Sequence, residues 1–264
     1  MSVETTVSPR PGRSSTPNVA IVTGAGGGIG AAICLTLASQ GWSVVLASHS
    51  DRAAAVLERC RAAGASAEML VGDVTRAEYV SQLVQFAIER FGRLDGFVSN
   101  AGVAGEVAPV TEYSDDTFDH VMDVNARGTF LALKHALPAL RAQSNGSFVA
   151  TASTSAIRGR ANLSAYVAAK HAVLGLVRCA ALECIGTGTR VNAVLPGPIE
   201  TPMIDAINES AKKRDPSGQG IVRATQAPYG KPEDVANTVA FLLSPLSAHM
   251  NGASIVLDAG STVA

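Results

Sequence analysis

The 264-residue sequence is short of charge: 16% of its residues are Asp, Glu, Lys or Arg, and 21 basic side chains nearly cancel 22 acidic ones. A net charge of −1 leaves no electrostatic footprint for nucleic acid or for an anionic membrane surface. Its basic run, Lys212-Lys213-Arg214, reads as a solvated helix face or loop. Cysteine is scarce as well. Cys34, Cys60, Cys179 and Cys184 make no Cys-x-x-Cys pair and no metal-ligand spacing, so no metal site is expected. Three of them sit in apolar helical contexts, as small buried hydrophobes do, and a disulfide framework is foreign to a chain of this length. A reducing, cytoplasmic setting follows. No apolar run approaches the ~18 residues needed to span a bilayer. Met1 to Pro17 is rich in Ser, Thr, Pro and Val but lacks the apolar centre of a signal peptide, and reads as a disordered tail.

What is present is hydrophobic material, 47% of the chain, in alternating strand and helix patterns. Strands are expected at Val19 to Thr23, Ser43 to Ala47, Ala67 to Val71, Leu94 to Ser99, Ser147 to Thr151, Arg190 to Leu195 and Ser254 to Leu257. Between them, helical spacing covers Ile29 to Gln40, Arg52 to Ala63, Arg76 to Phe91, one long helix near Ser114 to Ala142, Ser164 to Ile185 and Pro232 to Leu243. Seven strands separated by helices predict an α/β fold with a parallel, doubly wound sheet. The strands are near-continuously apolar, as burial on both faces requires. Residues 18–264 therefore read as one domain. Its least regular stretch, Pro196 to Tyr229, reads as a loop serving as a substrate flap, 198–229.

The first strand runs into Thr23-Gly24-Ala25-Gly26-Gly27-Gly28-Ile29-Gly30 and then a helix. Small residues let the backbone turn sharply and approach a diphosphate, while the helix N-terminus offers free N–H groups and partial positive charge. Gly30 would let helix and strand pack closely. A methyl-donor cofactor would suit such a loop equally, so the loop alone does not name a reaction. Tyr166 and Lys170 stand four apart on a predicted helix and share a face. A lysine ammonium there would favour phenolate and draw the tyrosine pKa from about 10 toward neutrality. Ser153 lies at the carboxyl end of a predicted strand, the edge at which doubly wound sheets bind ligands. Taken singly, a Tyr-x-x-x-Lys pair is ordinary on amphipathic helices, a Ser near a strand end is a turn or cap, and an Asn such as Asn125 is solvated.

Together and in order, these residues resemble the short-chain dehydrogenase/reductase family, classical type. Thr23-Gly24-x-x-x-Gly28-x-Gly30 matches its cofactor loop. Asn100-Ala101-Gly102, Asn125, Ser153, Tyr166-Val167-Ala168-Ala169-Lys170 and Pro196-Gly197-Pro198 with Thr201 follow in family order, over roughly Val19 to Ala259. The resemblance implies a Rossmann-type fold and hydride transfer between a nicotinamide cofactor and a carbonyl or secondary alcohol. It implies that Tyr166 exchanges the proton with the substrate oxygen and that Ser153 holds and polarises it. Lys170 would contact the nicotinamide ribose and Asn125 would help position a relay water. Cofactor contacts are implied at Gly24, Gly28, Ile29, Gly30, Ser48, His49, Asp73, Val74, Asn100, Ala101, Gly102, Pro196, Gly197, Ile199 and Thr201, besides Tyr166 and Lys170.

Some choices stay open. An acid at the end of the second strand would select NAD, but Ala47-Ser48-His49-Ser50-Asp51 places Ser48 at that position. Ser48, His49 and Ser50 could hold a 2′-phosphate, so the balance favours NADP, although Gly27 stands where NADP users often carry a base and Asp51 could reach the ribose or, like Ser50, cap the next helix. Asp73 and Thr201 could equally be helix caps. The resemblance covers 3-oxoacyl thioester reductases and, about as well, sugar, polyol and steroid dehydrogenases. Arg158 and Arg160 could meet an acidic group on a substrate or carrier, or be solvated loop residues. Two-fold pairing of the long helices, as the family does it, implies a homotetramer or homodimer. A catalytically silent nucleotide sensor is the rival from another class, and it sits poorly with an intact Ser, Tyr and Lys.

Overall fold

The computed structural model describes residues 16–214 and 229–263. Most of the expected N-terminal tail, and the 215–228 part of the expected flap, lie outside the described residues.

The strands are Val19–Thr23 (β1), Ser43–Ser48 (β2), Ala67–Val71 (β3), Gly96–Ser99 (β4), Ser147–Thr151 (β5), Arg190–Pro196 (β6) and Ser254–Leu257 (β7). They form one parallel sheet in the order β3-β2-β1-β4-β5-β6-β7. The helices are Gly28–Ser39 (α1), Ala54–Ala62 (α2), Ala77–Phe91 (α3), Asp115–Met122 (α4), Gly128–Arg141 (α5), Ser164–Glu183 (α6), Pro202–Arg214 (α7) and Pro232–Leu243 (α8). Side chains of α3, α5 and α6 close one face of the sheet and those of α1, α2 and α8 the other. Along β1 the consequence is plain: Val19 and Ile21 enter the first core while Ala20 and Val22 enter the second. Successive strand residues point to opposite faces, so a sheet covered twice needs apolar residues at every position.

The order reverses between β1 and β4, because the chain travels out to β3 and returns to pair β4 with β1. At such a switch point the connections leave in opposite directions and open a crevice at the carboxyl ends of the strands. That crevice holds the candidate site.

Three departures from the sequence expectation are informative. The long helix is α4 and α5 joined through a π-helical turn, Asp123–Arg127, which contains Asn125. Hydrophobic periodicity runs through the insertion and conceals it; such turns gather at functional sites. Part of the expected flap is α7. It buries only Ile207 and Ala211, too little apolar pattern to announce a helix, but Thr201 accepts from the Ile204 N–H at its start. Lys212, Lys213 and Arg214 form its last turn, where cations meet the negative end of the helix dipole. The expected helix from Arg52 begins instead with a 3-10 turn, Asp51–Ala53.

By length and composition α6 is apolar enough to cross a membrane. Lys170, His171 and Arg178 interrupt it, however, and its buried side is core packed on the sheet.

Candidate active site

The glycine loop shows why side chains are missing there. Gly24 and Gly28 take φ of +68° and +51°, in the left-handed region that glycine tolerates best. At Gly30 the constraint is space: a Cβ would lie 2.1 Å from the Gly24 carbonyl oxygen and 2.7 Å from Asn100 Nδ2. α1 starts from Gly27 without a side-chain cap, which leaves its first N–H groups free for an anion. Across the switch point, Asn100 Nδ2 donates to the Thr23 carbonyl (3.0 Å), and Thr23 Oγ1 accepts from the Asn100 and Ala101 N–H groups (2.9 and 3.0 Å). These bonds lock the end of β4 to the end of β1.

A cleft of about 640 Å³ opens above this seam. Gly24, Gly28, Ile29 and Gly30 form one end of it, and Ser48, His49, Asp73 and Val74 line the side toward β2 and β3. Asn100, Ala101 and Gly102 lie along the floor, with Pro196, Gly197, Ile199 and Thr201 opposite. Ser153, Tyr166 and Lys170 complete the wall. A second cavity of about 430 Å³ adjoins the first and shares Ser153, Tyr166, Gly197 and Ile199 with it. Ser153 and Tyr166 therefore stand where the two spaces meet.

Asn125 is not in the lining but behind it, 1% exposed. Its amide donates to the Val103 and Val121 carbonyls (2.8 and 2.9 Å) and accepts from the Val103 N–H (3.2 Å). The side chain thus braces the loop after β4 and is not the solvated residue its type suggests. Asp73 accepts from the Thr75 N–H at 2.8 Å, but the N-cap of α3 is Arg76, so Asp73 shapes a turn before the helix and is not its cap. Neither Ser50 nor Asp51 makes a side-chain cap. Thr201 caps α7 and faces the cleft as well.

A family model described as enoyl-(acyl carrier protein) reductase matches residues 24–262. The chain belongs to the short-chain dehydrogenase/reductase family. Levodione reductase of Leifsonia aquatica is 38% identical over 94% of this chain and 96% of that protein. A crystal structure of levodione reductase superposes with a TM-score of 0.85, at 37% identity over 94% of this chain and 99% of the other. Cyclohexanol dehydrogenase of Acinetobacter sp. is 39% identical, covering 92% and 94% of the two chains. A 3-oxoacyl-(acyl-carrier-protein) reductase of Staphylococcus aureus is 33% identical, over 91% and 96%. The structure of NAD+-bound xylitol dehydrogenase matches with a TM-score of 0.85 at 32% identity, covering 92% and 98%. As a short-chain dehydrogenase/reductase, the protein is an NAD(P)-dependent oxidoreductase of carbonyl and alcohol substrates.

In this short-chain dehydrogenase/reductase the electrostatics differ from the sequence expectation at one point. Burial pushes the Tyr166 hydroxyl above the usual phenol value, while a hydrogen bond with Ser153 and then the Arg160 charge pull it back down without cancelling that rise. Lys170 is not among those influences. Its ammonium lies 5.6 Å from the centroid of the Tyr166 ring and donates to the Thr151 carbonyl at 2.8 Å. Burial lowers its own pKa to about 8. The shared helix face brings Lys170 to the tyrosine ring, whereas Arg160 is the cation acting on the hydroxyl.

Two residues of the cleft escape the sequence reading. Arg52 comes beside Ser48 because the 3-10 turn folds it back over the end of β2; a Cβ on Gly26 would lie 3.1 Å from Arg52 Cβ and 3.3 Å from Ser48 Oγ. His120 lines the cleft from α4; burial raises the Asp73 carboxyl, and hydrogen bonds from Thr75, then the Arg76 charge and then that of His120 outweigh it and hold the group low. Its signal was faint: a lone His in the middle of a polar helix. Arg52, four residues past Ser48, could have been found by asking which cation replaces the missing acid.

Proposed function

We propose that this protein interconverts a secondary alcohol and a ketone on a compact organic skeleton, with Tyr166 as the proton-exchanging group. The observation that carries the reading is the position of Ser153 and Tyr166 at the junction of the two cavities, one suited to a dinucleotide and the other to a small substrate. The glycine cradle, the free α1 N-terminus and the cleft volume fit a nicotinamide dinucleotide, which supplies or accepts the hydride when bound. Tyr166 gives its proton to the developing alkoxide in reduction and receives it in oxidation. Ser153 orients the phenol and donates to the substrate oxygen. Lys170, below the tyrosine ring, reaches toward the ribose side of the cleft, and Asn125 holds the Val103 loop against which the substrate rests.

NADP is the favoured cofactor. Arg52 and Ser48 border the cleft where an NAD-selecting acid would stand, and Asp51 is not part of the lining. A guanidinium there meets a 2′-phosphate well. The substrate reading draws on the apolar walls of the smaller cavity and on relatives named for cyclohexanol and levodione. A 3-oxoacyl thioester is the second reading, favoured by the acyl-carrier-protein reductase relative. α7, which supplies Ile204, Ile207 and Asn208 to that cavity, acts in this proposal as the fixed part of a substrate flap. Phe118, Phe130, Leu182 and Ile185, all exposed, support assembly as a homodimer or homotetramer, and four free thiols support a cytoplasmic setting.

Absorbance of NADPH or NADH, mixed in turn with cyclohexanone and an acetoacetyl thioester, tests the reading on the native protein and on Tyr166→Phe. Turnover of the ketone by the native protein, reduced at least a hundredfold in Tyr166→Phe, is expected; turnover that survives the substitution refutes the proton role.

A further inference from the structure

The smaller cavity contains more positive charge than an alcohol or a ketone requires. Its walls are apolar at Leu163, Ile199, Ile204 and Leu257, but Arg158 and Arg160 both line it. Arg160 is half-buried, and its partners are uncharged: Nε donates to Ser155 Oγ (3.1 Å) and Nη2 to Thr154 Oγ1 (3.4 Å). Arg158 Nη1 donates to the Ser261 carbonyl at 2.9 Å, while its Nε is buried with no hydrogen-bond partner among the described residues. Neither arginine has an ion pair among the described residues.

Two carboxylates also border the cavity, and both are engaged elsewhere. Asp234 accepts from the Lys231 N–H at the start of α8 (2.8 Å), and Asp258 accepts from the Gly260 N–H (3.0 Å) and the Ser261 hydroxyl (2.9 Å). Two like-charged, partly dehydrated guanidinium groups repel one another, and burial followed by the Arg158 charge opposes the cation on Arg160. Such an arrangement is costly unless an anion arrives to complete it. Its unused N–H donors, beside the proton-exchanging hydroxyl, offer a planar fork to that anion.

We propose that the substrate carries a carboxylate as well as the reacting alcohol or ketone, and that Arg160 binds this carboxylate with Arg158 as a second donor. The occupant is thus a hydroxy acid or oxo acid with a hydrocarbon body: the apolar walls take the body, and the forked donors suit a planar anion. The inference rests on the oxidoreductase reading above for its reacting group, but not for its anion.

The test separates the two. Calorimetry on protein saturated with NADP+ compares cyclohexanecarboxylate with its neutral isostere cyclohexanecarboxamide, neither of which can turn over. The acid should bind at least tenfold tighter than the amide. Arg160→Gln and Arg158→Gln should each shrink that ratio severalfold, with Arg160→Lys retaining part of it; thermal melts confirm that each variant folds. In turnover, 4-hydroxycyclohexanecarboxylate should exceed its carboxamide at least tenfold in kcat/KM. Equal binding of acid and amide, tighter binding of cyclohexyl phosphate than of the acid, or an acid preference unchanged in both arginine variants overturns the proposal. Selective acid binding without oxidation of either alcohol upholds the anion site and removes the reaction assigned to it. Oxidation of neutral alcohols with no acid preference does the reverse.

Discussion

Lys170 is 4% exposed, has no ion pair among the described residues, and is held by the single Thr151 carbonyl. Burial lowers its pKa from 10.5 to about 8, and that fall corresponds to about 3 kcal/mol. A methionine at 170 would occupy similar space with no charge to dehydrate, and would lose one hydrogen bond, about 1 kcal/mol. Lys170→Met should therefore be more stable than the native chain by about 2 kcal/mol at pH 7, a rise in Tm of roughly 4–8 °C at this chain length, while losing oxidoreductase activity. The pH dependence provides the stringent check. Below pH 8 the lysine is protonated whether folded or unfolded, so the native chain bears the whole penalty. Between about pH 8 and 10.5 the unfolded lysine keeps a proton that the folded one has released, so native stability climbs with pH. Above that window the penalty is gone and the advantage of Lys170→Met should vanish or reverse. Unfolding both chains in urea at pH 7 and pH 10.5, without cofactor, measures this difference, in which titrations common to the two chains cancel. A variant less stable than the native protein at pH 7, or a gap that does not change with pH, would refute the reasoning.

Gly30→Ala should cost about 1–3 kcal/mol through overpacking against Gly24 and Asn100 and should weaken NADPH binding, whereas Gly27→Ala, whose Cβ meets nothing within 4 Å, should melt within a degree or two of the native chain. Equal melting temperatures for the two variants would show that the close approach at Gly30 is relieved by movement. Asn125→Ala removes three buried hydrogen bonds that brace Val103 and the π-helical turn, and should lower stability by about 2–3 kcal/mol in urea unfolding. An unchanged midpoint would mean that water replaces the amide. Arg52→Ala should weaken NADPH binding roughly five- to tenfold, the worth of one exposed charge-assisted contact, and leave NADH binding unchanged. Titration by nicotinamide fluorescence checks this, and a parallel loss for both cofactors would count against a 2′-phosphate contact.

The strands and the glycine loop were legible because the physics behind them is local. Val19-Ala20-Ile21-Val22 must be apolar throughout to fill two cores, and Gly24, Gly28 and Gly30 mark places where a Cβ has no room or φ is positive. The π-helical turn at Asn125 was invisible because an added residue leaves the apolar stripe on either side nearly intact. α7 escaped notice because only two of its thirteen residues are buried. The cations were the hardest to read. Spacing on α6 places Lys170 and Tyr166 on one face, but not that the ammonium passes the ring to reach Thr151. Arg160 looked like a solvated loop residue, but it is half-buried against the Thr154 and Ser155 hydroxyls and lines a cavity completed by α7, α8 and the chain after β7, elements distant in sequence.

The polar groups of the site have a common support that their separate motifs conceal. The Thr151 carbonyl holds Lys170, the Ser153 hydroxyl meets Tyr166, and the Thr154 and Ser155 hydroxyls hold Arg160. These partners come from five consecutive buried residues, Thr151 at the end of β5 and Ser153, Thr154 and Ser155 in the bend and 3-10 turn that follow it, where the strand is flanked on both sides by β4 and β6. Helix α6 and the loop before it bring the charges, while the strand end and the turn that follows it hold each one. A central strand resists displacement because both of its edges are hydrogen-bonded and both faces are packed. In the proposed reaction, Tyr166 and Arg160 are thereby held by neighbouring residues of one short segment.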